Sequence, residues 1–342
     1  MKFIFFANNP DISFGKQAEI LINELRKMGH SVIFIEHNSL PKLKQRAIEL
    51  QKPDVVVVWT YFHDTGHQTM SINELPTKRD FYLVGFEVSD TTKLSEKAIE
   101  VTKGLNPDVL ITPSKWSSKG FGELDIPIAI LPHALDYEIY RQINSKPKIV
   151  FPSLEDDLKK VYVFASHSPD RKGVDIVKEV LPDICTKYPI QVIWKTWGVV
   201  DKSVISMPCR VFKAIGHTSK LNHYTLMKSS THFFYPVRGG SFEIPVLEML
   251  ALGKTVVVPE QGAWTEIFLD KNDGYFISVK GFKRYWTDNP YHVGEFVEPD
   301  VHDAKQKLGL SLQNPLNIDT KKYLEYYSPQ NVTSMFLDLI RK

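Results

Sequence analysis

The chain alternates short apolar runs with longer stretches in which apolar residues return every three or four positions. "KFIFFA" is a run of the first kind and predicts a strand. "FGKQAEILINELRKMGH" is of the second kind: Ala18, Ile20, Leu21, Leu25 and Met28 recur at helical spacing, and Gly29 closes the segment. Strands follow at "SVIFIEH", "PDVVVVWT", "FYLVGFE", "DVLITPS" and "IAILPH", with a helix at "LPKLKQRAIELQ". The rhythm lapses around Tyr140 to Lys160, where "NSKPKIVFPSLEDD" has no period, and restarts at Val161. Strands at "VYVFASH", "QVIWKTW", "CRVFKAIG", "THFFYP" and "TVVVPE" then alternate with helices at "VDIVKEVLPDICTKY", "KLNHYTLMKSS" and "IPVLEMLALG". Unbroken apolar strands separated by helices predict parallel sheets covered on both faces. The fold class is therefore α/β, with two doubly wound, Rossmann-like domains. The stretch 282–296, "FKRYWTDNPYHVGEF", matches neither period and reads as an inserted loop.

Length agrees with two domains, since 342 residues exceed one ordinary core. With 42 basic and 40 acidic residues the net charge is +2, which argues against a nucleic-acid partner. Cys185 and Cys209 are the only cysteines and form no CxxC pair, so neither a disulfide framework nor a cysteine-rich zinc site is expected. The opening "MKFIFFANNP" holds only five consecutive apolar residues, too few for a secretory signal or a membrane span. A cytoplasmic protein is expected. The mildly basic "LPKLKQRAIELQK" suits a solvated face or, as the weaker reading, peripheral contact with an anionic membrane.

Ligands of doubly wound sheets sit beyond the carboxyl ends of the strands. Four loops there carry chemistry. In "SHSPDRKG", 166–173, His167, Arg171 and Lys172 lie beside a helix start, an arrangement suited to a diphosphate. The plain alternative is a solvated loop with a basic pair. The Walker spacing GxxxxGK[ST] is absent. In "GGSFEIPVLE", 239–248, Pro245 suits a first helical turn and Gly253 its far end. Amides from Ser241 through Phe242 and Glu243 to Ile244 can meet an anion or hydroxyl, with Gly240 allowing close approach. Glu248, placed by this reading in the first turn, can accept from a ribose diol or simply complement the helix dipole, worth about 0.3–1 kcal/mol. "EQGAWTEI" offers Gly262 and Glu266, and "LPHALD" offers His133. His63 and His67 stand four apart, but Gly66 lies between them and no third ligand is evident, so no metal is expected.

Taken in order, "DRKG", "FEIPVLEMLALGKTVVV" and "LPHALD" resemble the retaining nucleotide-sugar glycosyltransferases of the GT-B fold, specifically the family-4, or group 1, type. The resemblance runs along nearly the whole chain. "FGKQAEILINELRKMGHSVIFIE" looks like the group's first glycine loop and helix, and "PSKWSSKGF" its approach to the interdomain cleft. "GYFISV", "GEFVEPDVHDAKQKL" and "SPQNVTSMFLDLIRK" look like its closing strands and helices. The resemblance implies two domains facing across a cleft: 1–145 for the acceptor, 146–325 for the sugar-nucleotide donor, and 326–342 as a helix crossing back to the first.

It also implies roles. Lys172 and His167 fall on the pair that contacts the donor diphosphate, Glu248 on the glutamate that holds the donor ribose, and His133 on the histidine beside the transferred sugar. Catalysis is thus expected of His133, Lys172 and Glu248. Arg171, Gly240 and the loop Ser241 to Ile244 join them in donor binding, and Gly15 falls on a first-domain glycine near the diphosphate. Two departures stand out. The first glutamate of the paired motif belongs eight positions before Glu248, where this chain has Gly240. Glu243 comes three residues later and faces elsewhere if the loop keeps the family's path. His167 replaces an arginine, weakening the cationic clamp, because histidine is mostly neutral at pH 7.

The expected activity is transfer of a hexose from a UDP- or GDP-sugar, with retention and no cofactor, to a carbohydrate, lipid-linked or small-molecule acceptor. Glu87, Asp90 and His63 are weaker candidates for the acceptor side, each equally readable as a cap or turn residue. The alternative is a non-catalytic or weakly active sugar-nucleotide-binding protein on the same scaffold, suggested by Gly240 and His167. A DNA-modifying glucosyltransferase and a sugar-nucleotide epimerase rank below both.

Overall fold

Runs of valine, isoleucine and phenylalanine become buried central strands because both faces of each sheet are covered. They do so in a computed structural model that describes residues 1–10, 13–37, 41–62, 75, 79–145, 151, 153–155, 157–165, 169–198, 202–216, 218–284 and 290–341. The chain divides into two compact units, Met1–Leu135 with Asn289–Gly294 and Tyr326–Lys342, and Asp136–Asp288 with Glu295–Glu325.

The first unit begins with β1 (Lys2–Ala7), α1 (Ser13–Lys27), β2 (Ser31–Glu36), α2 (Pro41–Gln51), β3 (Val55–Trp59) and β4 (Tyr82–Phe86). It continues with α3 (Glu96–Leu105), β5 (Val109–Thr112), α4 (Lys115–Ser118) and β6 (Ile128–Ile130). The six strands are parallel in the order β2-β1-β3-β4-β5-β6. Alternate residues of β1 serve opposite faces: Phe3 and Phe5 join one apolar cluster, Ile4 and Phe6 the other.

The second unit opens with α5 (Tyr137–Ser145), β7 (Lys159–Phe164), α6 (Val174–Lys187), β8 (Ile190–Thr196), α7 (Lys202–Ile205) and β9 (Arg210–Ile215). Then come α8 (Lys220–Ser229), β10 (His232–Phe234), α9 (Ile244–Ala251), β11 (Thr255–Pro259) and β12 (Gly274–Ile277). β13 (Val279–Lys283), β14 (Phe296–Pro299), α10 (Val301–Gln313) and α11 (Thr320–Tyr326) complete it. Its six-stranded sheet is parallel in the order β12-β11-β10-β7-β8-β9, while β13 and β14 pair antiparallel beside it. The last helix, α12 (Pro329–Ile340), belongs to the first unit, where Val332, Phe336 and Leu337 are buried in the cluster that holds Phe3 and Phe5.

Three features differ from the sequence reading. The first is the boundary, which falls after Leu135 rather than at 145. Its cause is α5, which is fastened to the second unit: the Tyr140 hydroxyl donates to the Glu248 carbonyl at 2.8 Å, and Lys228 donates to the Ile143 carbonyl and to Asn144. The second is the cysteine pair, which is bonded. Cys185 on α6 and Cys209 just before β9 come within 5.1 Å between Cα atoms, and their disulfide closes a segment with a sequence separation of 24, worth about 3 kcal/mol by loop entropy. The third is the stretch 282–296. Its described residues leave the hairpin β13/β14 and return to the first unit: the Tyr291 carbonyl accepts from Ser95 N–H at 2.8 Å, and Val293 and Gly294 donate to the Lys93 carbonyl.

Candidate functional site

In the second sheet the chain moves outward from β7 through β8 to β9, then returns to lay β10 on the other side of β7. The loops leaving β7 and β10 therefore diverge at a topological switch point, where such sheets bind ligands. Both loops are built into one structure. Gly173 takes a left-handed φ of 66°, and a Cβ there would stand 2.0 Å from the Pro236 carbonyl oxygen, so only glycine lets the two loops touch. Arg238 N–H donates to the Arg171 carbonyl at 2.8 Å, and its guanidinium grips Asp175 through two bonds of 2.6 and 2.7 Å. The same side chain donates to the Asp170 carbonyl at 2.8 Å. The "DRKG" turn is thus held by backbone on one side and a buried arginine on the other.

That framework aims two cations at a single carboxylate. Lys172 Nζ lies 2.8 and 2.7 Å from the two oxygens of Glu243, and Arg171 Nη1 lies 3.2 Å from Oε1. The Tyr235 hydroxyl donates to Oε2 at 2.6 Å, and its ring lies 5.2 Å from the Lys172 ammonium. Arg171 also donates to the Gly239 carbonyl at 3.0 Å. The side chains of Lys172 and Glu243 are 7% and 5% exposed and that of Arg171 19%, so the pair is shielded while the guanidinium reaches the surface. Glu243 does not face elsewhere, as the family's loop path suggested. It sits in a left-handed conformation with φ and ψ both 70°, which turns its side chain back onto Lys172.

Glu248 has a different setting. Helix α9 starts at Ile244, with Pro245 in its first turn as expected, so Glu248 falls in the second turn and the dipole reading does not apply. Its carboxyl is buried and receives the Tyr224 hydroxyl. Burial is the main cause that pushes its pKa up to about 8, opposed by the Tyr224 bond and supported by the charge of Asp136. Tyr162 and Tyr140 complete an aromatic surround, and the Glu248 charge in turn raises both hydroxyls beyond what burial does. A carboxyl group so placed is a hydrogen-bonding group that carries its proton near neutrality, suited to sugar hydroxyls as donor or acceptor.

In the first unit, α1 and the loop after β6 are tied together: Gln17 donates to the Ala134 carbonyl at 3.1 Å and accepts from Ala134 N–H at 3.0 Å. This brings the helix turn of Gly15 and the loop of His133 to one end of the sheet. A Cβ on Gly15 would meet the Asn9 carbonyl oxygen at 2.1 Å, so glycine is required for the loop after β1 to close on the helix. His133 is buried, its ring 5.7 Å from that of Phe86, and burial lowers its pKa to about 3. It is a neutral imidazole at physiological pH. Glu87 is a correction: fully buried, its carboxylate accepts backbone N–H groups of Tyr61, Phe62 and Val88 at 2.8, 2.8 and 3.0 Å, so it anchors the turn after β3 and presents nothing to an acceptor. Asp90 is half-buried, with its N–H donating to His292 at 3.2 Å. His63, His67 and His167 lie outside the described residues.

Sequence reading missed Tyr235, Tyr224 and Arg238. "HFFYP" gives Tyr235 no mark beyond its place at a strand end, and Tyr224 looks like one more apolar position of α8. Among the described residues no group of three or more histidine, cysteine, aspartate or glutamate side chains is gathered as for a metal ion. None of their helices is long and apolar enough to cross a membrane.

No family model matches the chain. It is 34% identical over 325 residues to a protein of Sulfolobus islandicus filamentous virus (isolate Iceland/Hveragerdi) that is named as a glycosyltransferase, number 45; the match covers 92% of this chain and 84% of that one. Among solved structures it is similar to HepE of Anabaena in complex with UDP and glucose, with a TM-score of 0.68, 12% identity, and 100% and 99% of the two chains covered. It is also similar to a glycosyltransferase from Rickettsia africae, with a TM-score of 0.70, 11% identity, and 99% and 97% covered. The structural likenesses carry the architecture and the viral relative carries the family. On these grounds the chain belongs to the glycosyltransferases of the GT-B fold.

Proposed function

We propose that the chain moves a hexose from a UDP- or GDP-sugar to a hydroxyl of a carbohydrate or lipid-linked acceptor, with retention at the anomeric carbon, in the manner of the family-4 group. The observation that carries the donor reading is the pair Arg171 and Lys172, held by buried framework at the switch point of the second sheet. As the bond from the anomeric carbon to the diphosphate oxygen breaks, negative charge grows on the departing diphosphate. The acceptor oxygen bonds to that carbon on the same face and passes its proton to the departing phosphate. Cations held in a shielded site stabilise that charge more strongly than cations in water, once they exchange the Glu243 carboxylate for phosphate. The start of α9 at Ile244 supports the same reading, since helix N-termini favour anions. Glu248, largely protonated near neutrality, serves the ribose or sugar hydroxyls. His133 acts as a neutral hydrogen-bonding group and not as a proton donor in its cationic form.

UDP as the donor base is supported by the Anabaena protein's complex with UDP and glucose. The test is a thermal-shift panel of UDP, GDP and ADP with their sugars, followed by product analysis with the best donor. One nucleotide series raises the melting temperature, as specific ligands do, and Lys172→Ala abolishes that rise. A shift untouched by Lys172→Ala removes the diphosphate assignment. Proton NMR of the first-formed product reads the anomeric configuration, and an inverted linkage removes the retaining mechanism. Binding with no turnover on any acceptor leaves a sugar-nucleotide-binding protein instead.

A further inference from the structure

Gly240 poses a question of space. Its φ is not among the positive values, so the backbone does not demand glycine. A Cβ built there would stand 2.0 Å from Glu243 Oε1 and 2.9 Å from Glu243 Cγ. The absent side chain at 240 is therefore what gives the Glu243 carboxylate its place. Glu243 meanwhile holds a left-handed backbone that non-glycine residues adopt at a cost, and it does not cap α9 with its side chain. Three contacts over-determine it: Lys172, Arg171 and Tyr235. A buried carboxylate sits on the very cations that would receive a diphosphate.

We infer that Glu243 is a resident counter-ion of the diphosphate subsite, competing with bound phosphate for Lys172 and Arg171 and so limiting how tightly the spent nucleoside diphosphate is held. The inference rests on the donor reading above. In the ion pairs described here one carboxylate faces two cations, so Glu243 offsets part of the positive charge offered to an incoming anion. A sugar nucleotide brings two phosphate charges, whereas the released nucleoside diphosphate has a free terminal phosphate and brings up to one more. Glu243 therefore opposes product more than donor. Like-charge repulsion in a shielded site is strong enough to matter kinetically, and release of product sets turnover in many enzymes.

Two substitutions remove the carboxylate from the cations by different routes. Glu243→Gln keeps the shape and deletes the charge. Gly240→Ala keeps the charge in the chain and ejects it, since its Cβ takes the space of Oε1. Titration calorimetry with UDP, GDP and inorganic pyrophosphate, at low and physiological salt, reads the outcome. Both variants are expected to bind the diphosphates about tenfold to hundredfold more tightly than wild type, the range of one charge-assisted bond. The inhibition constant of the product falls more than the donor KM, and kcat falls with it. Weaker or unchanged binding in both variants overturns the counter-ion and makes Glu243 a structural brace. If wild type binds pyrophosphate but neither nucleotide, the sugar-nucleotide reading fails alone, because the variants must still tighten pyrophosphate. If wild type binds none of the three probes, both readings fall.

Discussion

Glu248 and His133 are each buried in their neutral form, and they load the stability of the protein in opposite pH windows. Glu248 has a folded pKa of about 8 against an ordinary 4.5. Its raised value means that the native state holds the proton more tightly, so its contribution is complete below about pH 4.5 and is lost progressively up to about pH 8. His133, lowered to about 3 from 6.5, contributes fully above pH 6.5 and loses that contribution as pH falls toward 3. Comparing wild type with Glu248→Gln cancels the histidine and isolates the carboxyl. Unfolding free energies from urea titrations at pH 5 and pH 8 are expected to show the variant gaining on wild type by several kcal/mol, ~1.4 per pH unit at most. A difference independent of pH means that Glu248 is ionised throughout, and its role as a neutral hydrogen-bonding group goes with it. Sequence alone offered Glu248 as a candidate but not this behaviour, because Tyr224, Tyr140 and Tyr162 come from three separate elements. The pairing of Glu243 with Lys172 was hidden for a similar reason, although Glu243 itself was named among the donor-binding residues. A left-handed glutamate is set by its tertiary partners, and the only trace it leaves in the sequence is the glycine at 240.

At the scale of elements, the interlock of the loops after β7 and β10 is the feature on which the cation pair depends. Gly173→Ala puts a Cβ against the Pro236 carbonyl and strains a φ of 66°, and the Pro236 backbone and ring that it meets are not a flexible side-chain end that can yield. The left-handed strain alone costs about 1–3 kcal/mol, and the clash adds to it. The variant is expected to lose at least about 2 kcal/mol of stability and to bind donor more weakly, read by urea titration and by calorimetry. Wild-type values in both show that the loops are not interlocked as described. The strands and most helices that frame this site were legible because continuous apolar runs and a 3.6-residue period are local signals. The stretch 282–296 was not. Its described residues are placed by β13 pairing with β14 and by Tyr291, Val293 and Gly294 meeting residues 93–95, about two hundred positions earlier, and no local period records a partner that distant.

For the whole molecule, the division into units does not follow the order of the chain, and this sets where damage should appear. Helix α12, the last element, completes the core of the first unit: Phe336 is fully buried, with its ring 6.3 Å from Phe3 and 6.4 Å from Phe5 on β1. Truncating a buried phenylalanine to alanine removes its transfer energy and leaves a cavity, together about 3–5 kcal/mol. Domain stabilities are about 5–15 kcal/mol, so Phe336→Ala takes a large share from the unit that contains it. Hydrogen exchange under native conditions can locate the loss, since amides report the opening of their own cooperative unit. Protection is expected to fall in β1, α1 and β3, the companions of α12 in one apolar cluster, and to stay at its wild-type level in β7, β8 and α6, whose cluster contains no residue of α12. A loss spread equally over both sets means that the two cores unfold as one, and the last seventeen residues then stabilise the protein as a whole rather than the first unit.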